Sequence, residues 1–347
     1  MIGAVALGNG SVYVGGHITR AGDVPVRHVA RWDGTNWHAL GTGVEPYSVE
    51  ALAFQDGDLY VGGRFHAAGG VGATNIAKWD GANWSALGEG VTRWQNCVGG
   101  RCELGVVRAL AVVADQLYVG GEFDRAGGMP ISTLARWDGQ HWSAVGNGMP
   151  GYNEGVHALA VQGNTLFVGG NLRWVPGIVG PGVARWDGVD WTAVSGADFE
   201  GARALVAVGG DLYVAPGFQN PPAMRGIVRW DGVGWSPLGS GLDGAASELA
   251  SNGRDLFVAG PFSQAGGKAA QRLALWHIPH ALGITHQAGQ VTVSWPATGS
   301  NLVLEASPSL PASTWTAAPG PPANVGDHLV VTNRAAESTQ FYRLRRK

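Results

Sequence analysis

Residues Val49–Gly90 read VEALAFQDGDLYVGGRFHAAGGVGATNIAKWDGANWSALGEG, and most of the chain repeats their pattern. An apolar run closes on Gly62-Gly63, a Trp-Asp-Gly turn follows at Trp79, and a second tryptophan stands five residues on, at Trp84. The glycine pair recurs at Gly15-Gly16, Gly120-Gly121 and Gly169-Gly170, then degenerates to Ala215-Pro216 and Ala259-Gly260. Successive pairs lie 44 to 58 residues apart. The matching first tryptophans are Trp32, Trp137, Trp186, Trp230 and Trp276; all but Trp276 have a partner, at Trp37, Trp142, Trp191 and Trp235. The chain therefore carries six copies, five complete and one with an altered end.

Within the second copy the pattern predicts four short strands, over Glu50–Gln55, Leu59–Phe65, Asn75–Trp79 and Trp84–Leu87. Alternating apolar residues bounded by Gly, Asp and Asn read as strands. Asp56-Gly57-Asp58 joins the first two strands. Asp80-Gly81 joins the last two, a hairpin signal because its turn needs positive φ. No helical periodicity is present. Six four-stranded units of about 45 residues predict a six-bladed β-propeller, with sheets arranged radially around a channel.

Composition narrows the function classes. The 347 residues include 57 glycines without a triplet period, 15 tryptophans, and only 14% charged residues at net charge −3. Nucleic acid as a partner is not expected, because no concentrated basic face is present outside the tail residues Arg343, Arg345, Arg346 and Lys347. No apolar run is long enough to span a membrane as a helix. No signal peptide is visible at the N-terminus, which starts within the first strand of copy one. Ring closure is then expected to rest on side-chain packing alone. Cys97 and Cys102 sit five apart with no histidine pair nearby, which fits a local disulfide in an exported protein better than a zinc site.

The order of signals resembles the kelch type of propeller. The phrases LYVGGRFHAAGG, IAKWDG and WSALGEG are similar to the repeats of the fungal cell-polarity cortical-marker proteins and their bacterial relatives. That resemblance covers residues 3–283 and implies surface, scaffold or recognition roles, with no catalytic motif carried over. Copy six departs from the pattern: His277-Ile278-Pro279 replaces Asp-Gly, and Ala281-Leu282-Gly283 is expected to supply its fourth strand. The propeller is thus assigned to 1–283. Residues 284–347 are predicted to form a small β-sandwich-like module of six short strands. SWPATGSNLVLEAS and QFYRLRRK are similar to C-terminal modules of exported verrucomicrobial and planctomycete proteins. The resemblance implies a secreted or cell-surface protein, attached through that module.

The candidate site follows from the repeat. The start of each first strand lies beside the end of the second, so residues after Gly-Gly and residues opening the first strand ring one mouth. These are His17, Arg64, Glu122 and Asn171 on one set, and Glu50, Arg108, His157 and Arg203 on the other. The longest link, Glu89–Gly105, opens on the same face with Arg93, Trp94 and both cysteines; Trp174 lies on another inserted loop. An aromatic there can stack on a sugar or aryl group. The repeat tryptophans are read as packing between blades, and the Asp of each Asp-Gly as a turn residue.

Three readings of the mouth remain open on sequence. In the first, its charges form a solvated Arg–Glu network. In the second, it binds a carbohydrate, peptide or small aromatic ligand through Arg93, Trp94, Asn171 and Trp174. In the third, it is a hydrolase of ester, lactone or phosphoester substrates. His17, Glu122 and His157 would then hold one divalent metal, zinc or calcium. Glu50 would act as general base, and Arg64, Arg108 and Arg203 would stabilise negative charge.

Overall fold

The computed structural model describes residues 2–93, 105–148, 155–172, 182–194, 196, 199, 201–217, 226–278, 283–287, 289–296, 302–308, 314–318, 320–325, 328–334 and 340–346. Every regular element among them is a β-strand. Units one to five each form an antiparallel sheet whose four main strands lie in chain order, first to fourth. In unit two these strands are Val44–Gln55, Asp58–Ala68, Ile76–Trp79 and Trp84–Ala86. The first strands of the six units, at Ile2–Gly8, Val44–Gln55, Val106–Val113, Val156–Gln162, Ala202–Val208 and Glu248–Ser251, pack one against the next. Sheets succeeding one another about a shared inner line are the arrangement of a β-propeller. No helix long and apolar enough to cross a membrane is present among the described residues.

The glycine pair is explained by two close approaches. A Cβ on Gly15 would lie 2.3 Å from the side chain of Val49, and one on Gly62 would lie 2.4 Å from Val107. The first glycine therefore admits the branched residue that opens the next blade. The second glycine admits its own blade's first strand: a Cβ on Gly63 would lie 2.2 Å from the Ser48 carbonyl, and one on Gly121 would lie 2.0 Å from that of Val106. The backbone comes so near because the first strand bulges there. The pairing register skips Gly3, Glu50, Arg108, His157 and Arg203 in units one to five.

The tryptophans hold neighbouring blades together. Trp79 and Trp84 face each other in register, their ring centroids 5.3 Å apart, and Trp137 and Trp142 repeat this at 5.2 Å. The second ring of each pair reaches the preceding blade. Trp84 Nε1 donates to the Leu40 carbonyl at 2.9 Å, and Trp142 Nε1 to that of Leu87 at 2.8 Å. Before the third strand, Asn75 sits at φ 64° and is fully buried, its Oδ1 accepting from the Phe65 amide and its Nδ2 donating to the Val91 carbonyl. Asn tolerates that backbone conformation better than most residues.

Each outer hairpin is capped by its aspartate. Asp80 Oδ1 accepts from the amides of Ala82 at 2.8 Å and Asn83 at 2.6 Å, and Asp138, Asp187 and Asp231 do the same in their units. These amide hydrogen bonds hold all four carboxyls below the usual aspartate range. Unit six uses Asn252 Oδ1 in the same way, on the amides of Arg254 and Asp255 between its first two strands.

Both ends of the series have uncovered apolar faces. Ile2 is 59% exposed and Leu7 74%, whereas Val49 and Val107, which stand where Ile2 stands, are at 1% and 0%. At the other end Leu273 is 63% exposed, whereas its counterpart Ile76 is fully buried. Unit six has three paired strands, Glu248–Ser251, Asp255–Ala259 and Leu273–His277. Of its expected fourth strand at 281–283, Gly283 alone is among the described residues. Gly283 begins a strand that pairs with Gln290–Pro296, opposite Ser294, and 281–282 lie outside the described residues. The C-terminal residues form one four-stranded and one three-stranded sheet around Val293, Trp295, Leu304 and Val331.

Two outcomes are expected. Trp142→Ala should lower unfolding free energy by about 3–5 kcal/mol in urea titration, through lost burial and the lost indole hydrogen bond to Leu87. The hairpin caps make a pH-dependent contribution. Their folded carboxyls titrate below the unfolded value of about 3.9, so they stabilise above it and lose that effect as pH falls through the folded values. The double variant Asp80→Asn, Asp138→Asn keeps the acceptor without the titration. Its melting temperature should fall less than that of the parent chain between about pH 5 and about pH 2.

Candidate functional site

The bulges position the mouth. An extra residue in one strand of an antiparallel pair is left out of the ladder and its side chain is re-aimed. Because the bulge falls at the same place in each unit, Glu50, Arg108, His157 and Arg203 are presented from successive blades at one end of the first strands. The ends of the second strands bring Arg64 and Glu122 to the same level, opposite Ser48 and Val106.

Blades two and three are joined there by a ladder of charges. Arg108 Nη1 donates to Glu50 Oε2 at 2.9 Å and its Nε donates to Glu122 Oε1 at 2.7 Å. Arg93 Nη1 lies 3.5 Å from the other Glu122 oxygen, and Ser48 Oγ donates to Glu50 at 3.4 Å. All four ionic side chains are about a quarter to a third exposed, so water reaches the ladder and weakens each pair.

The ring continues into later blades. A Cβ on Gly155 would lie 2.7 Å from Glu122 Cγ and 3.6 Å from His157 Nε2, so that glycine is flanked by both side chains. Asn171 Oδ1 comes equally near to Gly201. Further on, desolvation by surrounding protein raises the Glu248 carboxyl, although water still touches the residue, and Arg203 pulls it the other way. Arg64 Nε is buried with no hydrogen-bond partner among the described residues.

His17 has a different setting. Its Nδ1 lies 3.1 Å from the Tyr47 carbonyl, and its ring stacks on His28 at 5.2 Å. Burial, and then the neighbouring His17, hold His28 below the ordinary imidazole value.

Set against the sequence reading, the structure gathers Glu50, Arg93, Arg108 and Glu122 into contact and puts His157 beside them. The expected metal trio stands in two settings. His17 lies against His28 and Tyr47 in the region of blades one and two, whereas Glu122 is held by Arg108 and Arg93. Among the described residues no three His, Cys, Asp or Glu side chains gather as a metal group. Trp94, Trp174, Cys97 and Cys102 lie outside the described residues.

Sequence reasoning missed His28 and Glu248. His28, at φ 68°, occupies the same pre-strand position as Asn75, a repeat alignment that could have identified it. Glu248 stands one residue beyond the position that aligns with Arg203, so nothing in the pattern selected it.

No protein-family model matches the chain, and no curated protein does either. Among solved structures, the computationally designed Ika8 protein is similar at 14% identity, over 87% of this chain and 81% of that one, with TM-score 0.45. BamB from Moraxella catarrhalis is similar at 13% identity, over 79% and 71%, with TM-score 0.39. The Pan2 WD40 domain of Neurospora crassa is similar at 10% identity, over 74% and 85%, with TM-score 0.36. The propeller assignment therefore rests on strand pairing and packing within the chain itself.

The ladder gives one measurable coupling. In a double-mutant cycle of Glu50→Gln and Arg108→Met, followed by urea unfolding, the interaction energy should be about 0.5–1 kcal/mol and should shrink with added salt.

Proposed function

We propose that the chain is a propeller-type recognition scaffold that binds a polar ligand, carbohydrate or peptide, at the mouth. One observation carries the reading: in units two to five the bulge turns one non-repeating residue per blade out of the sheet, and these residues form a partly solvated, hydrogen-bonding row. The rest of the repeat is accounted for by turns and packing. Arg108, fixed from both sides, offers an oriented guanidinium edge, and Arg64 and Arg203 add charge for a carboxylate or a hydroxyl-rich ligand. The loops carrying Trp94 and Trp174 supply stacking surface in this reading.

The hydrolase reading receives less support. General-base work by Glu50 would require it to give up Arg108, and Glu122 is held by two arginines. In the proposed whole molecule, six blades form a kelch-like ring. The uncovered faces of blades one and six come together, and the C-terminal sheets form a sandwich-like module that attaches an exported protein to a surface.

Two measurements test this. Binding on a glycan and peptide array should weaken at least tenfold for Arg108→Met or Arg203→Met while melting temperature changes little; equal binding by both variants would remove the mouth as the site. For the ring, Val5→Cys with Leu273→Cys should cross-link intramolecularly with a short bis-maleimide. Failure to cross-link in the folded protein would exclude six-blade closure.

A further inference from the structure

A cavity of about 730 Å³ lies away from the mouth, between blades five and six, lined by Leu238, Gly239, Gly266, Lys268, Ala270 and Trp276 among others. Its meaning comes from the same place in the other blades. There the second tryptophan sits over a positive-φ glycine of its own blade. A Cβ on Gly69 would lie 2.3 Å from Trp84, and one on Gly127 would lie 2.5 Å from Trp142. It also abuts a positive-φ glycine of the preceding blade, Gly41 for Trp84 and Gly88 for Trp142, and donates to the carbonyl just before that glycine. In blade six the counterparts are Gly266, Gly239 and Leu238. The nearest side chain to Gly266 is Trp276, at 3.7 Å from a built Cβ, and the nearest to Gly239 is again Trp276, at 2.4 Å. The socket is kept and its indole is not supplied.

Among the described residues, no strand that would carry that indole stands at the same place. Leu273–His277 pairs with Asp255–Ala259 on one side and, among the described residues, has no pairing on the other. In the five complete units this edge of the third strand carries a fourth strand that opens on tryptophan. An unpaired edge beside an aromatic pocket is a template for strand addition, with backbone bonds giving affinity and the pocket giving specificity.

We propose that blade six binds an extended segment of another protein, which adds as the fourth strand and seats a tryptophan against Trp276, Gly239 and Gly266. The sequence motif is the chain's own: tryptophan, a small residue or histidine, alanine or proline, then leucine or valine. The chain's five such strands are already engaged in their own blades. Trp295 is buried in the C-terminal core, and Trp315 lies under the Arg343 guanidinium at 4.4 Å. Trp94 and Trp174 are followed by Gln-Asn-Cys and Val-Pro-Gly, which depart from the motif, so we assign the segment to a different protein. Charge narrows it further. Lys268 stands where Val71 stands in blade two, on the short strand beside Trp84–Ala86, so an acidic residue near the tryptophan is favoured.

The probe is a fluorescein-labelled peptide, DGANWSALGE, copying residues 80–89, titrated by anisotropy with the full chain. Saturable binding is expected. It should weaken at least tenfold when the peptide tryptophan becomes alanine, and again when the peptide backbone is N-methylated at serine and leucine. Lys268→Glu should weaken it severalfold, and Ala270→Trp, which fills the socket from within, should abolish it. If Ala270→Trp does not fold, the peptide variants and Lys268→Glu decide alone. Absence of binding at millimolar peptide, or equal binding of the alanine peptide, overturns the proposal. Chain dimers in sedimentation that dissociate on adding peptide would give the socket to a second copy and overturn the different-protein assignment.

Discussion

Units two to four depend on two places per blade where no side chain fits. At the first glycine of each pair, the next blade's opening residue presses into the backbone. At the second, the blade's own inner strand does, its carbonyl only 2.0–2.2 Å from where a Cβ would stand in units two and three. Contacts this near exclude every residue but glycine unless the backbone shifts. They set the distance between blades where the strand bulges toward the mouth, and unit five keeps that bulge opposite Ala215-Pro216. Spacing and display of functional side chains thus meet at one position of the repeat.

Much of this was legible in the sequence. The repeat gave strand order, turn chemistry and the packing role of the tryptophans, because each of those depends on local patterns that recur: Asp-Gly for the hairpin, a branched residue opposite glycine, paired indoles five residues apart. The bulge was not legible, since strand pairing is non-local and the skipped residue differs in each unit: Gly3, Glu50, Arg108, His157, Arg203. The positions of these residues at one mouth could be derived, but their partners could not. Arg108 between Glu50 and Glu122 depends on side-chain reach across two blades, which alternation does not encode. His17 is a further case: its ring lies against His28 and Tyr47, contacts that alternation does not encode.

The last copy shows what the motif contributes where it fails. Pro279 stands near the place of a hairpin glycine, no second tryptophan follows, and the chain passes into another sheet at Gly283. The preceding strands are unaffected: Leu256 and Val258 are as buried as their counterparts Leu59 and Val61 in blade two. The inner three strands of a blade are therefore held by glycine contacts and apolar burial, whereas the outermost strand depends on one indole and one tight turn.

The skipped residue in each first strand has a consequence for how such a molecule can change. It forms no ladder bond and fills no space between sheets, so its identity is nearly free of the demands of folding. Substituting there rewrites one letter of a short word spelled around the mouth, blade by blade, while the page it is written on stays the same. A lineage could therefore explore new ligands through a handful of single codons, without first acquiring compensating changes in the core.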